Sequence, residues 1–166
     1  MARIAEQAEK DKLHDNDIEV PAKDECDLRE FLAHAAINST KNAGVAGIIT
    51  DSETGKTARN LAAFRGPVPV LAICYREKTQ RWLNLSYGVI PIYQREQVSP
   101  QYMFFAALRM LRQKGYIKDE NKIAYLSGSF GEGGGTTFLE INKVKEVFDR
   151  SYQFHLPGSS KIDSEN

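Results

Sequence analysis

VAGIITDSETGKTARNLAAFRGPVPVLAIC spans residues 45–74 and reads as a strand, a helix and a second strand. VAGIIT is a short apolar run rich in β-branched residues. It is too short for a buried helix, so it predicts an inner strand. DSETG is a turn. KTARNLAAFR then places Ala58, Leu61 and Ala62 on one helical face, and Gly66-Pro67 breaks the helix. PVPVLAIC is a second buried strand. Two buried strands joined through a helix predict a parallel sheet covered on both faces.

Upstream, Leu28, Phe31, Leu32, Ala35 and Ala36 recur at the spacing of one helical face. Asp24 can cap that helix, and Asn42 and Gly44 end it. LHDNDIEVPAK (13–23) is polar, contains Pro21 and reads as a linker. Residues 2–12 read as a short helix with Ile4, Ala5 and Ala8 on one face. Downstream, residues 77–86 predict a helix with apolar Trp82, Leu83 and Leu85, and Trp82 is expected to pack in the core or at its edge. GVIPIY (88–93) predicts a strand nearer an edge, because proline cannot donate to the ladder. Ser99-Pro100 starts the next helix with a cap and a proline at its first position. Phe104, Ala107, Leu108 and Leu111 form its apolar face, and Gly115 stops it. KIAYLSG (122–128) and TTFLEI (136–141) predict two more strands. The glycine-rich link between them is too short for a parallel crossover, so the last strand runs antiparallel if the two pair. The fold class is therefore α/β, with five strands and helices on both faces. The expected organisation is a helix over 1–12, a linker over 13–23, an α/β domain over 24–149 and a polar, loose tail over 150–166.

The chain has 166 residues, a size that suits one domain. Lys plus Arg number 22 and Asp plus Glu 22, so no net field draws nucleic acid or an anionic membrane. No apolar run approaches the ~20 residues of a membrane span. The N-terminus has acids and no cleavage site, so it is not a signal peptide, and elimination leaves the cytoplasm. Cys26 and Cys74 read as reduced thiols, since no CxxC is present. His14, His34 and His155 do not cluster with them, and each reads as solvated or packed. No metal site and no cofactor is expected.

Two loops hold the candidate chemistry. Ser52, Glu53, Thr54, Gly55, Lys56 and Thr57 follow one strand and open a helix. Gly128, Ser129, Phe130, Gly131, Gly133, Gly134 and Gly135 follow another strand, with Glu132 inside the glycine run. Open α/β sheets bind ligands at such strand ends. The first loop offers free backbone N–H groups, a positive dipole end, the hydroxyls of Ser52, Thr54 and Thr57, and the Lys56 ammonium. Glycines in the second let backbone amides approach a ligand closely. Gly55-Lys56-Thr57 matches the end of GxxxxGK[ST], but Thr50 stands where the leading glycine belongs, which argues against a nucleotide P-loop. An anion site and a plain capped helix start remain as the two readings. Glu132 has no second acid or histidine beside it in sequence, so no acid–base pair is expected.

ITDSETGKTARNLAAFRGPVPVLAIC, EKTQRWLNLSYGVIPIY, KGYIKDENKIAYLSG and the glycine loop, in that order and spacing, resemble the C-terminal domain of pyruvate kinase from about residue 24 to 143. MARIAEQAEK resembles the last helix of that family's catalytic barrel. The resemblance implies a five-stranded sheet, parallel apart from its last strand. It also implies a regulatory domain that binds a phosphorylated effector between the two loops and forms a subunit interface of a homo-oligomer. Catalysis, with magnesium and potassium, belongs to the barrel, whose motifs are missing here. Carried over by position, Ser52, Thr54, Gly55, Lys56 and Thr57 cradle an effector phosphate. Three positions depart from sugar-bisphosphate-regulated members: Glu53 replaces a common lysine, Met103 a phosphate-gripping arginine, and Ser129-Phe130 the Trp-Arg of the common glycine loop. One phosphate rather than two is the expectation. Met1 falls at an internal family position, which implies a truncated frame, a split gene or a fragment. The alternative is a stand-alone binding protein for a nucleotide, flavin or sugar phosphate on the same domain.

Overall fold

In a computed structural model the structure describes residues 3, 4, 6–8, 27–95, 100–128 and 135–153. The apolar runs become a five-stranded sheet: β1 (Val45–Ser52), β2 (Val70–Cys74), β3 (Val89–Tyr93), β4 (Lys122–Gly128) and β5 (Thr136–Lys143). Strand order is β3-β2-β1-β4-β5. β1, β2, β3 and β4 are parallel, and β5 runs antiparallel to β4, as the short link requires. β3, with Pro91, lies at an edge. The helices are α1 (Leu28–Asn42), α2 (Lys56–Ala63), α3 (Glu77–Leu83), α4 (Pro100–Gln113) and α5 (Val144–Gln153).

The period of two along the strands divides the core. Ile48, Val70, Ala72, Cys74, Ala124 and Leu126 meet α1, α2 and α3 on one face, through Ala36, Leu61 and Leu83 among others. Ile49, Leu71, Ile73 and Ile123 meet α4 and α5 on the other, through Leu108, Leu111 and Val147. Both faces of the sheet are thus covered, which is why the central strands read as continuous apolar runs.

Four details differ from the sequence reading. Asp27, not Asp24, caps α1: its Oδ1 accepts from the Arg29 N–H at 3.1 Å, while Asp24 lies outside the described residues. The core face of α1 is also rotated. Ala33, Ala36 and Ile37 are buried, whereas Leu28 and Phe31 are exposed. Ala33 and Ala36 join the core on the sheet, and Ile37 reaches under the α2–β2 turn, where a Cβ on Gly66 would stand 2.8 Å from its Cδ1. Trp82 is 59% exposed, with Lys78 Nζ 5.2 Å from its ring centroid, and Leu85 is exposed too; only Leu83 of that apolar trio enters the core. Finally, α5 crosses the expected domain end at 149. Val144, Val147 and Phe148 recur at helical spacing and are buried, among charged residues that hide the pattern.

Residues 3, 4 and 6–8 are helical and exposed. The expected linker over 13–23, Cys26, the Ser99 cap and the tail from 154 lie outside the described residues. His34 is packed, with its ring 5.7 Å from that of Phe64 and its Nδ1 3.3 Å from Asn38 Nδ2.

Candidate functional site

The strand order makes the C-terminal ends of β1 and β4 a topological switch point. From β1 the chain moves through α2 toward β2 and β3, while β4 pairs on the opposite side. Open sheets have a crevice at such a point. Both candidate loops leave from it. Ser52–Thr57 and Gly128 are described, as is Gly135 on the return. Ser129, Phe130, Gly131, Gly133 and Gly134 lie outside the described residues, as do Glu132 and the side chain of Met103.

The first loop is a tight turn built by its own side chains. The Gly55 N–H donates to Ser52 Oγ at 2.8 Å, and Ser52 is buried. Gly55 is the N-cap of α2 with φ +81°, a left-handed conformation, and no side chain caps this helix end. Gly55 O accepts from the Arg59 N–H at 3.0 Å, closing the first turn. The N–H groups of Lys56, Thr57 and Ala58 have no carbonyl of their own helix to bond. They therefore present donors and the positive end of the helix dipole together.

The neighbours hold this turn in place. Thr57 Oγ1 lies 2.8 Å from Thr136 Oγ1, which ties the start of α2 to the start of β5. Thr79 Oγ1 donates to Glu53 O at 2.7 Å from α3. Arg76, the residue before α3, forms an ion pair with the Glu53 carboxylate. The Arg59 guanidinium makes a long contact of 3.5 Å to Thr54 O. Arg29 lies along the backbone at the return of the glycine loop, where a Cβ on Gly135 would be 3.2 Å from its Nε. Glu53, Thr54 and Lys56 are exposed, and Thr57 is half-buried.

Of the three hydroxyls read from the sequence, Ser52 and Thr57 thus also work inside the fold. Glu53, which stands where the resemblance has a common lysine, has its carboxylate paired with Arg76. Arg29, Arg59, Arg76, Thr79 and Thr136 were not singled out in the sequence. Arg59 stands one helical turn after Gly55 and is a local neighbour, whereas Arg29, Arg76, Thr79 and Thr136 come to the turn through strand order and have no local signature.

On the other face of the sheet, Asp51 sits one residue before the turn. Burial raises its carboxyl pKa above the ordinary 3.8, against the lowering effect of a hydrogen bond with Ser127. Burial also raises the Tyr125 hydroxyl, with the Asp51 and Glu140 charges adding to it. The Tyr125 ring lies 4.1 Å from that of Phe104 and meets Phe138 edge-on at 5.7 Å. Cys74 ends β2 beside Ser52, and burial pushes its thiol up to about 11. Among the described residues no three His, Cys, Asp or Glu side chains converge to hold a metal ion. No described helix is long and apolar enough to cross a membrane.

The geometry suits anion binding, and relatives place it in a family. A family profile described as pyruvate kinase, alpha/beta domain, matches residues 30–142, about two thirds of the chain. Pyruvate kinase of Borreliella burgdorferi is 34% identical over 122 residues, which cover 72% of this chain and 26% of that protein. Pyruvate kinase 2 of Synechocystis is 25% identical over 151 residues, covering 90% of this chain and 25% of that protein. The chain therefore spans about a quarter of the length of these curated relatives. With this sheet order, its antiparallel last strand and the matched residues, the chain belongs to the pyruvate kinase family, as its C-terminal α/β domain.

Proposed function

We propose that this chain acts as a regulatory domain: it binds one phosphate group of a phosphorylated effector at the start of α2 and contacts other subunits of a cytoplasmic homo-oligomer. The observation that carries the reading is the uncapped N-terminus of α2, held open by the left-handed Gly55 and pinned from three sides by Ser52, Thr79 and Thr136. A phosphate there satisfies N–H groups that the helix cannot, and it meets the dipole. Lys56 adds a charge-assisted bond. Gly128 and Gly135 set the opposite wall at the two ends of the glycine loop.

Phosphoryl transfer between phosphoenolpyruvate and ADP, with magnesium and potassium, belongs in this reading to the family's catalytic barrel. Its barrel is a partner, and the domain's part is to sense an effector. A chain of this extent alone forms no pyruvate.

The test is calorimetry and backbone chemical-shift titration with inorganic phosphate and with fructose 1,6-bisphosphate, on the parent and on Lys56→Ala. Comparable binding of the two ligands, shifts centred on residues 52–57, and weaker binding by Lys56→Ala are expected. Much tighter bisphosphate binding overturns the single-phosphate assignment. Shifts confined to other regions, or no effect of Lys56→Ala, remove the site.

A further inference from the structure

On the sheet face away from α2, a buried serine has one proton and two acceptors. Ser127 is 2% exposed and stands next to the end of β4. A buried hydroxyl is normally bonded, and it can donate only once. One acceptor is the Gly128 carbonyl, 3.5 Å from Ser127 Oγ. The other is the Asp51 carboxyl. Thr50 of β1 is the register partner of Leu126 of β4, so Asp51 and Ser127 follow side by side. Each lies two residues beyond a side chain of the α4 face, Ile49 and Tyr125, and therefore points the same way. The two side chains share a hydrogen bond.

The surroundings of Asp51 leave its charge state free to change. Among the described residues no lysine or arginine pairs with it. Its register partner on β2 is Ile73. From β4 the titratable neighbour is Tyr125, whose hydroxyl burial and the Asp51 and Glu140 charges keep neutral. Glu140 stands opposite Tyr125 on β5, with Arg150 of α5 at 3.9 Å. From α4, Phe104 lies over the Tyr125 ring and brings no charge. Burial favours the neutral carboxyl, while the Ser127 hydroxyl and the Asp51 N–H favour the ionised one.

The Gly128 carbonyl sits where β4 gives way to the glycine loop. The pairing with β5 slips between Ser127 and Gly128, and Gly128 stands opposite Thr136. Thr136 Oγ1 in turn is 2.8 Å from Thr57 Oγ1 at the start of α2. A change at this carbonyl therefore occurs at the root of the loop and beside the strand end tied to α2.

We infer that the Ser127 hydroxyl is a two-position clasp set by a proton on Asp51. With Asp51 protonated, its O–H donates to Ser127 Oγ, and the Ser127 proton holds the Gly128 carbonyl. When Asp51 gives its proton to solvent, the Ser127 hydroxyl rotates to donate to the carboxylate and releases that carbonyl. The clasp makes this end of the sheet respond to pH, and it stands whether or not a phosphate binds at α2.

The experiment is a pH titration of the whole chain by nuclear magnetic resonance, from the acid end of the carboxylate range to neutral pH. It follows the Asp51 carboxyl carbon and the Gly128 carbonyl carbon in the parent, Asp51→Asn, Ser127→Ala and Ser127→Thr. In the parent both carbons are expected to titrate with one midpoint, above the ordinary 3.8. In Asp51→Asn the side-chain N–H donates to Ser127 at every pH, so the Gly128 signal should stay at the parent's acid-limit position. In Ser127→Ala the Gly128 signal should be flat while Asp51 still titrates, at a higher midpoint because a donor to its ionised form is gone. Ser127→Thr keeps the hydroxyl and should restore the shared midpoint. A Gly128 signal that stays flat through the Asp51 titration in the parent overturns the clasp. So does an equal Gly128 shift in Ser127→Ala, which would mean that the carboxylate field acts without the hydroxyl. Should Ser127→Ala fail to fold, Asp51→Asn decides alone: a Gly128 signal at the parent's neutral-pH position overturns the inference.

Discussion

Replacing Gly55 by alanine tests how the candidate turn is built. Its φ of +81° places any L-residue in the left-handed region, at about 1–2 kcal/mol. The new Cβ would also stand 3.2 Å from Leu83 Cδ2, 3.4 Å from Leu83 Cγ and 3.3 Å from Arg59 Nη1. Arg59 is exposed and can swing away. Leu83 is fully buried and cannot move without disturbing the core beneath α2 and α3. Overpacking of this kind adds about 1 kcal/mol or more. Gly55→Ala is therefore expected to lose about 2–3 kcal/mol in total. Gly88 provides the control, because its φ is +64° but a Cβ there meets nothing within 4 Å. Gly88→Ala should lose only the conformational part, about 1–2 kcal/mol. The assay is urea unfolding followed by far-ultraviolet circular dichroism, with the slope m unchanged between variants. Equal losses for the two variants would refute the crowding against Leu83. A neutral Gly55→Ala would refute the strain as well.

Asp51→Asn should stabilise the chain at neutral pH. The raised carboxyl pKa means that the folded state holds its proton longer than the unfolded state, so stability falls as pH rises from about 3.8 through the folded pKa and is level above it. Urea midpoints from pH 4 to 7 should show the parent losing this increment and the variant keeping it; a variant less stable than the parent at pH 7 contradicts the sign. In a Cys26→Ser background, Cys74 should not react with a disulfide reagent at mildly alkaline pH until urea unfolds the chain, because it is buried and its pKa is about 11; fast labelling of the native protein would disprove this. Phe31→Ala should change stability by under about 1 kcal/mol, whereas Leu61→Ala should lose about 2–5 kcal/mol, since Phe31 is 56% exposed and Leu61 fully buried. Comparable losses would mean that α1 turns its Phe31 face inward.

What the sequence determined by itself is the set of pieces and their order. Apolar runs of β-branched residues, glycine and proline breaks, and helical spacing located all five strands and α1 to α4 to within a few residues. The brevity of the link after β4 decided the antiparallel β5, because a chain that short cannot cross back over the sheet. The turn at Ser52–Thr57 was legible as a candidate site because its residue types act within one turn of the chain. Periodicity is a local property, and it misled where two faces of one helix are both apolar. On α1 the stripe of Leu28, Phe31, Leu32, Ala35 and Ala36 is strongly apolar, yet of these only Ala36 is fully buried, and Ala33 and Ile37 join it in the core while Leu28 and Phe31 face solvent. α5 escaped notice because its three apolar residues stand among charges, and it is packing against α4 that gives them a partner. The tertiary structure alone decided which distant groups meet at the site. Thr57 and Thr136 are 79 residues apart and Glu53 and Arg76 are 23 apart. Each pair is brought together by strand order and register, which are set by burying the whole sheet at once and leave no mark in either residue's own neighbourhood.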